Sequence, residues 1–346
     1  MGGSAYLGPE CPARHWPDRE QARLGRDDPS GKLHGATETV LSALLEVVVP
    51  VFAVALVGYL YAARRGFPIA EATDLIIYVA GACLIFDSLA KAPELDLNAL
   101  RIPIAVTGLV LGGIALAWLA GRALPPLREL SFGAIALPVA FVNAGNLGLP
   151  LAHLALGEEG FQAMLLVFVV YSALHNSIGV AIMNGRGGIA QAARLPLVYA
   201  AIAGVATNRF GISLPRMLDV PIVMIAQLVI PLMLLSLGAR MRTLMPSGGS
   251  RQDAPLAPLL LLPILRIGGG IAMAMALNRV MGNTGVTAQV VLLTGALPSA
   301  VMNFALVEKF GQEEAESATV SVAIAVATGA SIVVLPVVIA LLPRTG

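Results

Sequence analysis

The sequence is short of charge: Asp, Glu, Lys and Arg make up only 12% of its 346 residues, against 57% hydrophobic, with a mean hydropathy of +0.81. That much apolar surface exceeds what one water-soluble core can hide, which excludes a soluble globular protein. Lysine is scarcer still, at positions 32, 91 and 309 only, and 22 basic against 21 acidic side chains give a net charge of +1. Such a balance leaves no electrostatic footprint for nucleic acid. Two cysteines, Cys11 and Cys83, make neither a disulfide framework nor a metal-ligand set, so no metal and no cofactor are expected. The four histidines (His15, His34, His153, His175) form no HExxH pair, and no serine stands in GxSxG. An intramembrane hydrolase therefore lacks its signature, and no enzyme is expected.

What the sequence does have is long apolar runs. Residues 1–39 hold 11 of the 43 charged side chains and no apolar period, and they read as a disordered tail. Beyond them come ten apolar stretches, at 40–62, 73–91, 102–122, 130–155, 161–183, 195–208, 220–241, 259–281, 287–307 and 318–342. Most reach the roughly 20 residues that cross a ~30 Å hydrocarbon layer at about 1.5 Å per residue. Unbroken apolarity with Gly and Pro inside is a helical pattern, not the alternation of a barrel strand, so an all-α polytopic membrane protein in the lipid bilayer of the cell (inner) membrane is expected. Loops after the odd-numbered spans carry ten basic residues, and the opposite loops with the C-terminus carry six. That bias puts both termini on the non-cytoplasmic side.

The chain also matches itself. Shifted by 148 residues, Leu84, Ser88 and Leu89 fall on Leu232, Ser236 and Leu237, while Leu149, Pro150 and Ala152 fall on Leu297, Pro298 and Ala300. The shift carries span 2 onto span 7 and span 4 onto span 9, a unit of five helices. An odd unit repeated in one chain must be inverted in the membrane, which is an architecture of secondary transporters.

Two spans cannot be ordinary apolar helices. Span 4 contains Asn143, Gly145, Asn146, Gly148 and Pro150; span 9 contains Gly295, Pro298, Ser299 and Asn303. Proline removes a helical hydrogen bond and clashes with the carbonyl four residues back, so both helices should unwind at Pro150 and Pro298. Freed backbone groups are tolerated in a membrane only where they line a cavity or meet a partner. If the two breaks cross, two half-helix N-termini offer amides and positive dipole ends to an anion.

Three segments, NAGNLGLPL in span 4, LPSAVMNFALVEKFG in span 9 and PLMLLSLGARM in span 7, resemble the auxin efflux carrier family, which includes plant PIN-type carriers and bacterial permeases of small organic acids. The resemblance covers about 40–342. It implies ten transmembrane helices in two inverted five-helix repeats, 40–183 and 195–342, joined by a linker at 184–194. Broken helices 4 and 9 cross, as in the bile acid symporter fold. Helices 1, 2, 6 and 7 form a scaffold, helices 3–5 and 8–10 a moving transport domain, and the assembly is a homodimer. The implied function is secondary transport of a small organic anion by alternating access, with a sodium-coupled carrier of the bile-acid-symporter type or a non-transporting sensor as alternatives. Carried over by position, Asn143 looks like the asparagine of the first crossover, and Pro150 and Pro298 look like the crossover prolines. Gly145, Asn146, Ser299 and Asn303 complete the expected substrate site. Bacterial relatives tend to have Asn four residues after the second proline, where this chain has Met302 and then Asn303. Asp87 and Lys91, one helical turn apart, resemble an accessory polar site beside the substrate in PIN-type carriers.

Other polar residues in the spans read as packing or helix-bridging groups: Glu46, Gln227, and His175 with Asn176. Arg266, the deepest arginine, reads as snorkelling to the cytoplasmic interface. Gly268, Gly269 and Gly270 read as a close-packing helix face.

Overall fold

The computed structural model describes residues 37–92, 100–184, 193–244, 256–310 and 314–342. The expected tail, up to residue 36, and positions 185–192 of the expected linker lie outside the described residues. Among the described residues the elements are helical, apart from one isolated β-bridge.

Seven helices are long and apolar enough to cross a membrane. In chain order they are α1 (Thr37–Arg65), α2 (Ile69–Ala90), α3 (Arg101–Ala123), α5 (Ala144–Met183), α7 (Arg216–Leu244), α8 (Leu256–Met281) and α11 (Glu316–Leu341). Between them stand shorter helices: α4 (Phe132–Ala140), α6 (Pro196–Arg209), α9 (Gly285–Ala296) and α10 (Met302–Phe310). Helix α5 runs 40 residues, about 60 Å and twice a hydrocarbon layer. Gly157 divides it with a left-handed, non-helical backbone (φ 68°, ψ −158°) that a residue with a Cβ rarely adopts.

Association between apolar helices in lipid depends on close backbone approach, and small residues sit where it happens. At the crossing of α1 with α7, a Cβ on Gly58 would lie 2.1 Å from the Leu235 carbonyl oxygen and one on Gly238 1.6 Å from that of Ala55. At the crossing of α8 with α9, Gly270 and Gly295 face each other in the same way. Gly269 meets Leu116, whereas Gly268 touches nothing, so the expected close-packing face is made by the last two of the three glycines. Packing falls into two groups: α1, α2, α6 and α7 against one another, and α3, α4, α5, α8, α9, α10 and α11 against one another.

Several helices widen into a single π turn, at Leu44–Val48, Ile76–Ala80, Ala144–Gly148, His175–Gly179 and Leu265–Gly269. Isolated π turns of this kind often mark functional positions. Three of the five supply walls of the cavity described next.

Candidate functional site

Helix α4 ends at Ala140, and Phe141 is extended (φ −107°, ψ 121°). Helix α9 ends at Ala296, and Leu297 is extended (φ −61°, ψ 144°). The two interruptions meet: Val142 pairs with Ser299 as an antiparallel bridge, Asn143 N–H donates to the Pro298 carbonyl at 2.9 Å, and Ala300 N–H donates to that of Phe141 at 2.9 Å. Backbone groups that would be orphaned in lipid are thus satisfied by the opposite break.

The prolines do not play the equal parts expected of them. Pro298 lies within its break, where it forces the preceding Leu297 out of the helical region. Pro150 lies beyond its break, in the first turn of the regular helix after the Ala144–Gly148 π turn. Seven residues into α5, its missing N–H falls against the π turn, whose wider ring relieves the clash with the carbonyl behind it. In the bridged geometry the neighbour of Pro298 is Asn143 rather than Pro150.

Two side chains lock the crossing, Asn303 from α10, the second half of one broken helix, and Arg266 from α8. Asn303 Nδ2 shares its two hydrogens among three acceptors, the Leu137 and Phe141 carbonyls, each at 3.0 Å, and Ser299 Oγ at 2.9 Å, while its Oδ1 lies 3.1 Å from His175 Nε2. Arg266 is 1% exposed. Its Nη1 donates to the Val139 carbonyl at 2.8 Å and its Nη2 to that of Gly295 at 2.9 Å. Snorkelling is therefore incorrect for Arg266: its charge lies on the C-terminal carbonyls of both first-half helices. Each helix C-terminus carries roughly −0.5 charge, so two together match one guanidinium.

On the other side of the crossing lies a cavity of about 110 Å³. The N-terminal residues of both second-half helices line it, Ala144, Gly145 and Asn146 from one and Ala300, Val301 and Met302 from the other, together with Asn143. Asn143 is 5% exposed and its Nδ2 has no hydrogen-bond partner. A Cβ on Gly145 would come within 2.8 Å of the Phe168 ring, so this glycine admits the ring against the π turn. Opposite walls come from α2 and α7, with Thr73, Met233, Ser236 and Arg240.

Of the expected site residues, Asn143, Gly145 and Asn146 line the cavity. Pro150, Pro298, Ser299 and Asn303 do not; the last two are buried in the crossing and bonded to each other. Asp87 and Lys91 stand apart from the cavity. Lys91 Nζ lies 2.6 Å from Asp87 Oδ1 and 2.7 Å from Asp219 Oδ1, which adds an acid from α7 to the expected pair. Hydrogen bonds to Asp219 and then to Asp87 hold the Lys91 ammonium above the usual lysine range. Ser236 and Arg240 stand in the PLMLLSLGARM segment, and Ser236 in the repeat, but neither was expected in the site, and Thr73 carried no signal.

Seven membrane-length helices and a cavity where two broken helices meet are the features of a polytopic membrane protein. Residues 43–194 match the family described as "Membrane transport protein". Over 302 residues the chain is 26% identical to the "Putative malonate transporter" of Rhizobium meliloti (strain 1021), covering 81% of this chain and 91% of that protein. It is 24% identical over 276 residues to an "Uncharacterized transporter" of Methanocaldococcus jannaschii, covering 76% and 88% respectively. The chain is thus similar to membrane transport proteins over residues 43–194 and to two transporters over most of their length, and its seven membrane-length helices are those of a multi-pass membrane protein.

Proposed function

We propose that this protein is a secondary carrier that moves a small organic anion, of the malonate class, across the cell (inner) membrane by alternating access. The observation that carries the reading is the cavity at the crossing. Two half-helix N-termini line it, and the Asn143 amide faces it with no partner. Both N-termini bring positive dipole ends and first-turn N–H groups, while Arg266 compensates the opposite ends. Such a site favours an anion. The name of the Rhizobium meliloti relative supports a carboxylate as that anion.

Division of α5 at Gly157 and pairing of α4 with residues 144–156 support ten crossings in two inverted five-helix repeats, 40–183 and 195–342. The two packing groups support a scaffold of helices 1, 2, 6 and 7 and a transport domain of the rest, with the cavity between them. Rocking of one group against the other would expose the cavity to each side in turn. We assign both termini to the non-cytoplasmic side on the loop charges, and a homodimer on the family resemblance. Sodium coupling has less support, because the Val139 and Gly295 carbonyls already hold the fixed cation of Arg266.

Counterflow of labelled malonate into liposomes containing only this protein tests the proposal. Asn143→Ala should lower uptake at least about tenfold, since a hydrogen bond to a charged group contributes roughly 1.5–3 kcal/mol. Equal uptake by mutant and wild type would assign Asn143 to packing, and absence of counterflow with any small carboxylate would refute the carrier.

A further inference from the structure

The cavity contains a cation that the crossing does not use. Arg240, on α7, lines it and donates from Nη2 to Thr73 Oγ1 on α2. Thr73 in turn donates its hydroxyl hydrogen to the Ile69 carbonyl at 2.6 Å, so its oxygen is turned toward the guanidinium. Among the described residues no carboxylate pairs with Arg240. A half-buried arginine with one neutral partner has most of its five donors still to place. Beside it on α7, Ser236 is 1% exposed and its hydroxyl also has no partner. Asn143 Nδ2, unpartnered as well, faces the same cavity from the crossing.

We infer that Arg240 binds the second carboxylate of a substrate of the malonate class, and so sets the preference for two carboxylates over one. This rests on the carrier reading above. One carboxylate sits at the crossing, on Asn143 and the half-helix N-termini, and the other on Arg240, with the Ser236 hydroxyl beside it. Thr73 is a positioning residue that holds the guanidinium fork for bidentate contact. Apolar walls from Ile76, Leu197 and Met233 suit the short carbon spacer between the two charges. A monocarboxylate would satisfy one anchor and leave the other uncompensated.

The test is equilibrium binding and counterflow on the full purified chain with oxalate, malonate and succinate, and with acetate and propionate as single-charge probes. Wild type should bind at least one dicarboxylate about tenfold or more tightly than either monocarboxylate. Arg240→Gln should reduce that preference to near unity by weakening dicarboxylate binding about tenfold or more. Arg240→Lys, which keeps the charge but not the fork, should fall between, and Thr73→Val should weaken dicarboxylate binding without altering Tm by more than a degree or two. Should Arg240→Gln prove unfolded, the Arg240→Lys and Thr73→Val series decides: wild-type dicarboxylate preference in both overturns the inference. If Arg240→Gln keeps wild-type preference while Asn143→Ala loses binding, the Arg240 assignment fails and the carrier reading stands. If wild type prefers monocarboxylates, the dicarboxylate assignment fails; if neither variant changes binding, or no carboxylate binds at all, the site at the crossing fails with it.

Discussion

Arg266 places a charge where, among the described residues, no carboxylate pairs with it, and its two bonded carbonyls explain how a membrane protein tolerates this. The last carbonyls of a helix lack partners inside the helix, and here the helices ending at Ala140 and Ala296 direct theirs at one guanidinium. Arg266→Met should leave both unpaired, at roughly 1–3 kcal/mol for each buried acceptor. We expect a clear fall in the thermal unfolding midpoint of detergent-purified protein, only partly recovered by Arg266→Lys, whose single ammonium lacks the planar fork. A midpoint equal to wild type would mean that these two bonds contribute little. Asn303 works on the same scale. With its amide hydrogens on Leu137, Phe141 and Ser299, it acts as a clasp, and its substitution should affect folding before it affects affinity.

At the scale of the element, the two broken helices reach one geometry by different means. Leu297 is held extended by the proline that follows it, whereas Phe141–Asn143 has no proline within it and owes its extension to pairing with the other break. Pro298→Ala restores an N–H and removes the restriction on Leu297, so α9 can continue through the crossing; helix interiors disfavour Pro by roughly 3 kcal/mol relative to Ala. Loss of counterflow with normal insertion and an equal or higher unfolding midpoint is the expected result. Pro150→Ala changes a position that is already helical, beyond the break, and should keep most of the activity. Equal loss in both variants would restore the symmetric role that their alignment at 148 residues suggests.

For the whole molecule the open variable is orientation. The ends of α2 differ: Thr73 and the Arg240 side of the cavity lie toward one, and the Lys91–Asp87–Asp219 network lies at the other. With both termini outside, the cavity belongs to the cytoplasmic half. A cysteine at position 344, outside the described residues, should then react with an impermeant thiol reagent added to intact cells, and Cys11 and Cys83 should both be removed to keep the label specific. Labelling only after the cytoplasmic face is opened would invert the topology and place the cavity in the outer half.

Apolar runs, scarce charge and prolines inside spans determine by themselves that this chain is a helical membrane protein with two interrupted helices, because hydropathy and backbone hydrogen bonding act locally along the sequence. The asparagine at 143 was legible for the same reason: an amide among apolar neighbours at membrane depth needs a partner. What local chemistry could not decide is which partner each polar group meets. Arg266 read as an interfacial residue because its acceptors, Val139 and Gly295, are distant in sequence, and Asn303 read as a ligand because its bonds to Leu137 and Phe141 cross between the two breaks. Arg240 and Ser236 stood in a segment that carries the family resemblance but were given no role in the site, since neither has a local partner that marks one. Only the packing of α7 against α2 and the crossing turns them toward the cavity that holds Asn143.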